Sequence, residues 1–181
     1  MKRKAAEWSW VALAFVLWGS VAVAHVAEPA LFGVALRTAT RVEIGQALRA
    51  AHMTLSVNGA HKWYDLYNVN GALKNASVLA VSFTEHGHFA KAMYVFPSFV
   101  STKRFAQVVK EVRAKYGAPT RKTGQQSIGP VRAVWILPHA FDIVVKRRWP
   151  NPTTFMVIEN RVNLRRMKQQ QKRFIAHSGA F

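Results

Sequence analysis

The stretch that decides the fold is VLAVSFTEHGHFAKAMYVFPSF, residues 78–99. In its first arm the apolar side chains of Leu79, Val81 and Phe83 alternate with smaller ones, which is the pattern of a strand buried on one face. Glu85-His86-Gly87 then supplies a turn, because glycine can adopt the positive φ that such a turn often needs. A second arm of similar length returns until a proline ends it. The stretch therefore predicts a β-hairpin.

A capped amphipathic helix is predicted on each side of this hairpin. Thr40 and Glu43 have the spacing of a capping box, and the apolar residues that follow recur on one helix face, so the first helix should occupy residues 41–52. After the hairpin, Ser101-Thr102 precedes the strongest helical stripe in the chain, and Gly117 is placed to end that helix. Each helix has one apolar face, which needs a sheet or another helix to cover it.

Four further segments have the composition and boundaries of strands. Residues 62–69 are rich in aromatic and β-branched side chains, between predicted turns at Asn58-Gly59 and Asn70-Gly71. Three apolar segments follow the second helix, at residues 131–137, 141–147 and 153–160. The polar stretch 120–130 before them is predicted to be a loop or the end of a hairpin.

The two halves of the chain share one order, a capped helix followed by three strands. This order predicts an α+β fold, in which two similar helix-then-three-strand units form antiparallel sheet with the helices packed on one face. The units can share one sheet or stack in tandem, and the sequence leaves both open. The predicted segments are a signal peptide at 1–24, an extended lead-in at 25–39, the first unit at 40–99, the second unit at 100–160 and a basic C-terminal tail at 161–181, helical at its start and frayed later.

The N-terminus has the three parts of a secretory signal peptide. A basic start at Lys2-Arg3-Lys4 precedes an apolar run at residues 8–24, which ends in the small residues Ala22-Val23-Ala24. This pattern predicts cleavage after Ala24 and a periplasmic or secreted mature protein. The alternative is that residues 8–24 remain as a membrane anchor, although a spanning helix needs about 20 residues and this run is shorter.

The chain is strongly basic and has no cysteine. Its 26 lysines and arginines against 8 acidic residues give a net charge of +18, which favours polyanionic partners. The absence of cysteine excludes disulfides, thiolate metal sites and a cysteine nucleophile. The residues predicted to bind an anionic partner lie at the end of one strand and along the tail: Lys146, Arg147, Arg148, Arg161, Arg165, Arg166, Lys168, Lys172 and Arg173.

The anionic partner has two interpretations. Trp149, Phe155 and Phe174 lie among the basic residues, so the surface can hold nucleic acid by phosphate contacts and base stacking. The same charges suit anionic lipid head groups or an acidic polymer of the cell envelope. Export favours the envelope partner, and nucleic acid is therefore the second alternative.

His86 and His88 are the sharpest candidates for a metal site. Residues two apart on a strand point to one face, and a transition metal would need further ligands from Glu85, His61 or His139. The competing interpretation is a polar, solvent-exposed hairpin tip. We predict no metal or other cofactor, and keep a periplasmic metal-binding protein or hydrolase that uses these two histidines as an alternative.

The sequence contains no recognisable catalytic motif. The acidic residues are scattered singly, and there is no G-x-S-x-G nucleophile elbow, no H-E-x-x-H helix and no phosphate-binding glycine loop. The sequence therefore predicts a protein that is not an enzyme.

Two turn motifs carry a resemblance to a known family. Lys115-Tyr116-Gly117-Ala118-Pro119 at a helix end and Phe83-Thr84-Glu85-His86-Gly87 at a hairpin turn look like the SmpA/OmlA outer-membrane assembly lipoproteins. The organisation of residues 40–160 is also similar to the tandem β-lactamase-inhibitor protein fold. The chain lacks a lipid-attachment cysteine after its signal and the Gly-x-Pro ending in its first helix, so the resemblance implies a fold and no functional residue.

These features lead to one functional hypothesis. We expect an exported, non-enzymatic protein of the cell envelope or periplasm that binds a protein partner or an anionic envelope component through its basic surface.

Overall fold

The computed structural model describes residues 28–98, 102–150 and 152–178. The predicted signal peptide at residues 1–24 lies outside them, so its cleavage and the alternative membrane anchor stay predictions. Among the described residues, no helix is both long and apolar enough to cross a bilayer.

A short ribbon precedes the first helix. β1 (Ala30–Leu31) and β2 (Val34–Ala35) pair antiparallel, so the predicted extended lead-in contains a tight hairpin. Leu31 and Leu36 are buried in the main core, which explains why this apolar segment packs on the rest of the fold.

Eight strands form one antiparallel sheet that both halves share. The remaining elements are, in chain order, α1 (Arg41–Ala50), β3 (Thr54–Ala60), β4 (Tyr64–Asn68), β5 (Val78–Phe83), β6 (Phe89–Phe96), α2 (Lys103–Tyr116), β7 (Arg121–Gly124), β8 (Val131–Leu137), β9 (Phe141–Arg147), β10 (Thr154–Asn160) and α3 (Arg161–Ser178). The strand order is β3-β4-β5-β6-β10-β9-β8-β7. Because β6 pairs with β10 at the centre, each half extends outward on its own side.

The predicted α+β class with an antiparallel sheet is confirmed, and each half has a fourth strand at its outer edge. In the first half this strand is β3, which runs through Asn58-Gly59. The turn predicted there was wrong: the register of β3 against β4 shifts between Leu55 and Ala60, and a glycine suits such a bulge. The two halves are therefore built from a helix and four strands each.

The fourth strand of the second half lies in the stretch predicted as a loop or hairpin end. β7 pairs with β8, and all four of its residues are exposed, so no apolar alternation marked it as a strand. Gly124 ends β7 with a φ of +84°, and a Cβ there would lie 2.1 Å from the backbone oxygen of Pro130. This glycine is required by both its conformation and its surroundings.

The helix caps agree with the sequence in one half and not in the other. The backbone N–H of Thr40 donates to Glu43 Oε2 at 2.8 Å, and the Thr40 hydroxyl accepts from the backbone N–H of Glu43, which completes the predicted capping box. Thr102 precedes α2 but makes no side-chain cap, because its backbone is already helical, with φ of −74° and ψ of −10°. Ser101, the other residue of the predicted cap, lies outside the described residues. Gly117 ends α2 at a φ of 78°, as predicted.

Helices α1 and α2 cover one face of the sheet. Their apolar residues Ile44, Leu48, Phe105 and Val112 are buried in the main core with the strand residues that face them. On the opposite face Val134, Val144 and Val157 lie in register across β8, β9 and β10 and form a small cluster with Met93. We call this second side the open face.

Helix α3 follows β10 directly and continues to Ser178, whereas the tail was predicted to be helical only at its start. Asn160 caps its start, because the side-chain oxygen accepts from the backbone N–H groups of Val162 and Asn163, both at 3.1 Å. The helix packs on β5, β6 and β10 and buries Met167. Part of the predicted tail is therefore an ordered element of the fold.

A candidate anion-binding surface

The outer side of α3 carries a straight row of positive charges. Arg161, Arg165, Lys168 and Lys172 have the spacing i, i+4, i+7 and i+11, which places them along one helix face. All four are exposed, and the helix contains no acidic residue. We call these four residues the α3 stripe.

The stripe residues form few ion pairs within the described part of the chain. Arg161 Nε lies 3.8 Å from Asp142 Oδ2, at the outer limit of an ion pair. Within the described part of the chain, Arg165, Lys168 and Lys172 form no ion pair with a carboxylate. These three side chains therefore remain available to an external anion.

A second basic group lies on the strands of the second half. Lys146 lies two residues after Val144, and Arg132 two residues before Val134, so both side chains point to the open face. Arg148 follows β9, and its guanidinium carbon lies 5.8 Å from the ring centroid of Phe155. The pKa of Lys146 is lowered first by burial and then by the charges of Arg148, Arg132 and Lys91, which shows how crowded with positive charge this region is.

Glu159 lies next to both basic groups and shows where they are relative to one another. It pairs in register with Lys91 on β6, and its side chain points away from the core side of its neighbour Ile158. It also lines a groove with Arg161, Arg165, Leu164 and Lys168. The stripe and the strand charges therefore lie on the same side of the sheet. Together they form the open-face basic surface: Lys91, Arg132, Lys146, Arg148, Arg161, Arg165, Lys168 and Lys172.

Arg147 does not belong to this surface, which corrects the sequence prediction. Its side chain is 1% exposed, because odd positions at this end of β9 point to the core. Its guanidinium donates to four backbone carbonyl oxygens, those of Gly129 at 2.8 Å, Gln126 at 2.9 Å, and Gln125 and Thr102 at 3.4 Å. Arg147 therefore holds the loop between β7 and β8 against the start of α2.

Arg166 and Arg173 are exposed but lie on another line of α3. They are seven residues apart and follow the helix on the side next to the β5–β6 hairpin. Arg173 lines a cleft there with Glu85, His86 and Phe174. The nine predicted residues are thus divided among the open face, the hairpin side of α3 and the protein interior.

The candidate metal ligands His86 and His88 are exposed at the hairpin tip. Among residues 28–98, 102–150 and 152–178, no group of three or more His, Cys, Asp or Glu side chains is arranged to hold a metal ion. The tip instead anchors both neighbouring helices. The backbone N–H of Glu85 donates to Gln170 Oε1 of α3 at 3.0 Å, and the Gly87 carbonyl accepts from the backbone N–H of Arg41 at 2.8 Å.

Sequence reasoning missed Lys91 and Arg132, which the structure adds to the surface. Both are single charges within otherwise apolar strands, so neither belongs to a run of basic residues along the chain. The alternation of side chains along a strand could have predicted them, because each lies two residues from an apolar residue of the open face and so points to that face.

Comparison with known proteins adds little to this geometry. No protein-family model matches the chain, and no curated protein matches it significantly. The chain is similar to the crystal structure of YjgB, a DUF4309 family protein from Bacillus subtilis subsp. subtilis str. 168, with a TM-score of 0.46 and 12% sequence identity over 74% of this chain and 88% of that chain. A likeness at this level carries no argument. It does not test the resemblance to the SmpA/OmlA lipoproteins or to the β-lactamase-inhibitor fold, which stays a prediction.

Nothing in the comparisons or in the described part of the chain indicates an enzymatic activity.

Proposed function

We propose that this chain is an exported, non-enzymatic protein that binds an anionic component of the cell envelope through the open-face basic surface. The observation that carries the proposal is the α3 stripe, in which three of four exposed cations form no ion pair with a carboxylate of the described residues. A row of this kind fits a repeated array of negative charges, such as lipid phosphates or an acidic polymer.

The charge of the folded part supports the same proposal. Residues 1–24 contain three of the 26 basic residues and one of the 8 acidic ones, so the remainder carries 23 positive and 7 negative charges, or about +16. Each basic residue near an anionic membrane surface contributes on the order of 1 kcal/mol of attraction. Four residues of one stripe therefore supply enough free energy to change an affinity by more than tenfold.

Envelope anions are favoured over nucleic acid for two reasons. The predicted signal peptide would separate the protein from nucleic acid in the cytoplasm. Of the three aromatic side chains predicted to stack on bases, Phe155 lies beneath the guanidinium of Arg148 and the Phe174 ring centroid lies 3.8 Å from Lys62 Nζ, so Trp149, which is 53% exposed, is the remaining ring for stacking.

The test compares two variants with the same loss of charge. The stripe variant replaces Arg161, Arg165, Lys168 and Lys172 by glutamine, and the control variant replaces Arg37, Lys74, Lys110 and Arg113, which are exposed residues outside the surface. Binding to phosphatidylglycerol vesicles is measured by co-sedimentation, and binding to soluble polyphosphate by calorimetry. The two probes separate a lipid head group from a free polymer as the source of the phosphates.

We expect the stripe variant to bind at least about tenfold more weakly to one of the probes, and the control variant to stay within about twofold of the wild type. Equal losses in both variants would mean that net charge alone attracts the anion, and would overturn the assignment to this surface. Export is tested separately by sequencing the N-terminus of the protein purified from its native host, which should begin at His25.

A further inference from the structure

A half-open apolar cavity lies on the other side of the sheet, under α2. Its volume is about 230 Å³. The floor is formed by the central strands, with Tyr94, Met156, Ile143 and Ile158 as the main contributors, and Val112 of α2 forms one wall. The cavity is separate from the open-face basic surface, because these strand residues point to the side that the helices cover.

The ribbon that precedes α1 forms the other rim of this cavity. Ala30 of β1 lines it, whereas Ala35, the cross-strand partner of Ala30, does not. Both residues carry only a methyl group, so a short side chain at position 30 leaves the entrance open. Leu73, half-buried in the loop after β4, completes this rim.

The size and lining define what the cavity can hold. An engineered apolar cavity of about 150 Å³ in another protein stays dry and takes up benzene, so a larger apolar space accepts a ring or a short alkyl chain. Tyr94 is 4% exposed, and burial raises the pKa of its hydroxyl, so this group is a neutral part of the floor. A fully charged molecule would find no partner at the floor.

Among the described residues that line the cavity, the charged side chains lie at its mouth. Lys115 and Glu111 lie one helical turn apart on α2, and both line the entrance. Neither makes an ion pair within the described part of the chain, although Lys115 Nζ lies 5.2 Å from the ring centroid of Tyr116. In the field of a chain with a charge of about +16, an anionic end group is favoured over a cationic one at this mouth.

We propose that the cavity binds a medium-chain alkyl carboxylate. The alkyl chain lies against Tyr94, Phe96 and Met156, and the carboxylate stays at the mouth next to Lys115. The proposal concerns a site on the opposite side of the sheet from the anionic envelope component, and it stands or falls independently of that function.

The test is a calorimetric titration of the full chain with octanoate, with octanol and acetate as comparison ligands. Ala30→Phe should fill the entrance and weaken octanoate binding at least tenfold, while Ala35→Phe in the same ribbon should leave it within twofold. Lys115→Ala should weaken octanoate binding about fivefold and leave octanol unchanged, and Lys110→Ala on the outer side of α2 serves as its control. Leu73→Trp provides a second way to close the rim if Ala30→Phe unfolds.

Several outcomes distinguish this cavity from other sources of binding. The stripe variant should bind octanoate as the wild type does, and a loss there would place the ligand on the basic surface and overturn the proposal. Octanoate binding that survives both Ala30→Phe and Leu73→Trp would also overturn it. Octanol or acetate binding as tightly as octanoate would contradict the joint role of chain and carboxylate.

Discussion

Arg147 on β9 and the α3 stripe carry the same charge into opposite environments. The guanidinium of Arg147 is buried and donates to four backbone carbonyls, so it stabilises the fold and is not accessible to an external anion. The stripe is exposed, and most of it has no carboxylate partner in the described residues. A basic residue is therefore available to an external anion only where the fold supplies neither carbonyls nor a carboxylate.

Arg41 shows a third arrangement in the first half of the molecule. Its guanidinium is partly exposed and donates to both carboxylate oxygens of Asp65, which is 5% exposed, and to the carbonyl of His61 at 2.8 Å. The pKa of Arg41 is raised, chiefly by the hydrogen bonds to Asp65. The first half therefore fixes the start of its helix with an ion pair, and the second half uses carbonyls alone.

The largest effect should come from Arg147→Met, which removes the buried one of the two kinds of positive charge. Removal of the guanidinium leaves several buried carbonyl oxygens without a donor, and we expect a loss on the order of 3 kcal/mol in the free energy of unfolding. Urea unfolding measures it. Arg148→Met, at the exposed neighbouring position, should change the free energy by less than about 0.5 kcal/mol. Similar losses in the two variants would contradict the division into inner and outer arginines.

A smaller loss is expected from Asp65→Asn. The substitution keeps the shape of the side chain and removes the charge that holds Arg41. We expect a loss of about 2 kcal/mol in the free energy of unfolding, because the partial exposure of the arginine weakens the ion pair. The matched control is Asp142→Asn, because its ion pair with Arg161 is long. Equal destabilisation by Asp142→Asn and Asp65→Asn in the same urea series would contradict the role given to the Arg41–Asp65 ion pair.

The smallest effect concerns the cap of α1 and depends on pH. Hydrogen bonds from the backbone N–H and the hydroxyl of Thr40 lower the pKa of Glu43. A folded-state pKa below the unfolded value means that this stabilisation is present above the unfolded pKa of about 4.3 and is lost as the pH falls through the folded value. Glu43→Gln should therefore be less stable than the wild type at neutral pH, and the gap should close on acidification.

Thermal unfolding of both proteins at neutral and acidic pH measures this gap. Glu111→Gln, on a helix for which Thr102 makes no side-chain cap, is the control in the same series. A difference between wild type and Glu43→Gln that stays constant with pH would contradict the role given to the cap.

The sequence predicted the central strands well because they have strong local patterns. β5 and β6 follow the alternation around Gly87, and the apolar segments that became β8 and β9 have the bounds predicted for them. The outer strands were missed, since β7 is polar throughout and β3 runs through an Asn-Gly pair that usually forms a turn. Edge strands gain their pairing from a neighbour, and a local pattern does not contain that neighbour.

The candidate site was predicted in part for a related reason. The α3 residues were found because their charges are frequent along the chain, but Lys146, Arg147 and Arg148 are consecutive, and only the strand places the middle one inside. Lys91 comes next to Glu159 through the pairing of β6 with β10, which joins residues far apart in the sequence. A surface assembled from separate strands depends on register, and register is a property of the whole sheet.

The central claim is that the α3 stripe, and not the overall charge, binds the envelope anion. The most direct measurement is the salt dependence of binding to phosphatidylglycerol vesicles for the wild type, the stripe variant and the control variant. Contacts between cations and phosphates are lost steeply as salt rises from about 50 to about 200 mM. We predict a steep dependence for the wild type and the control variant and a shallow one for the stripe variant. The same steep dependence in all three proteins would contradict the claim.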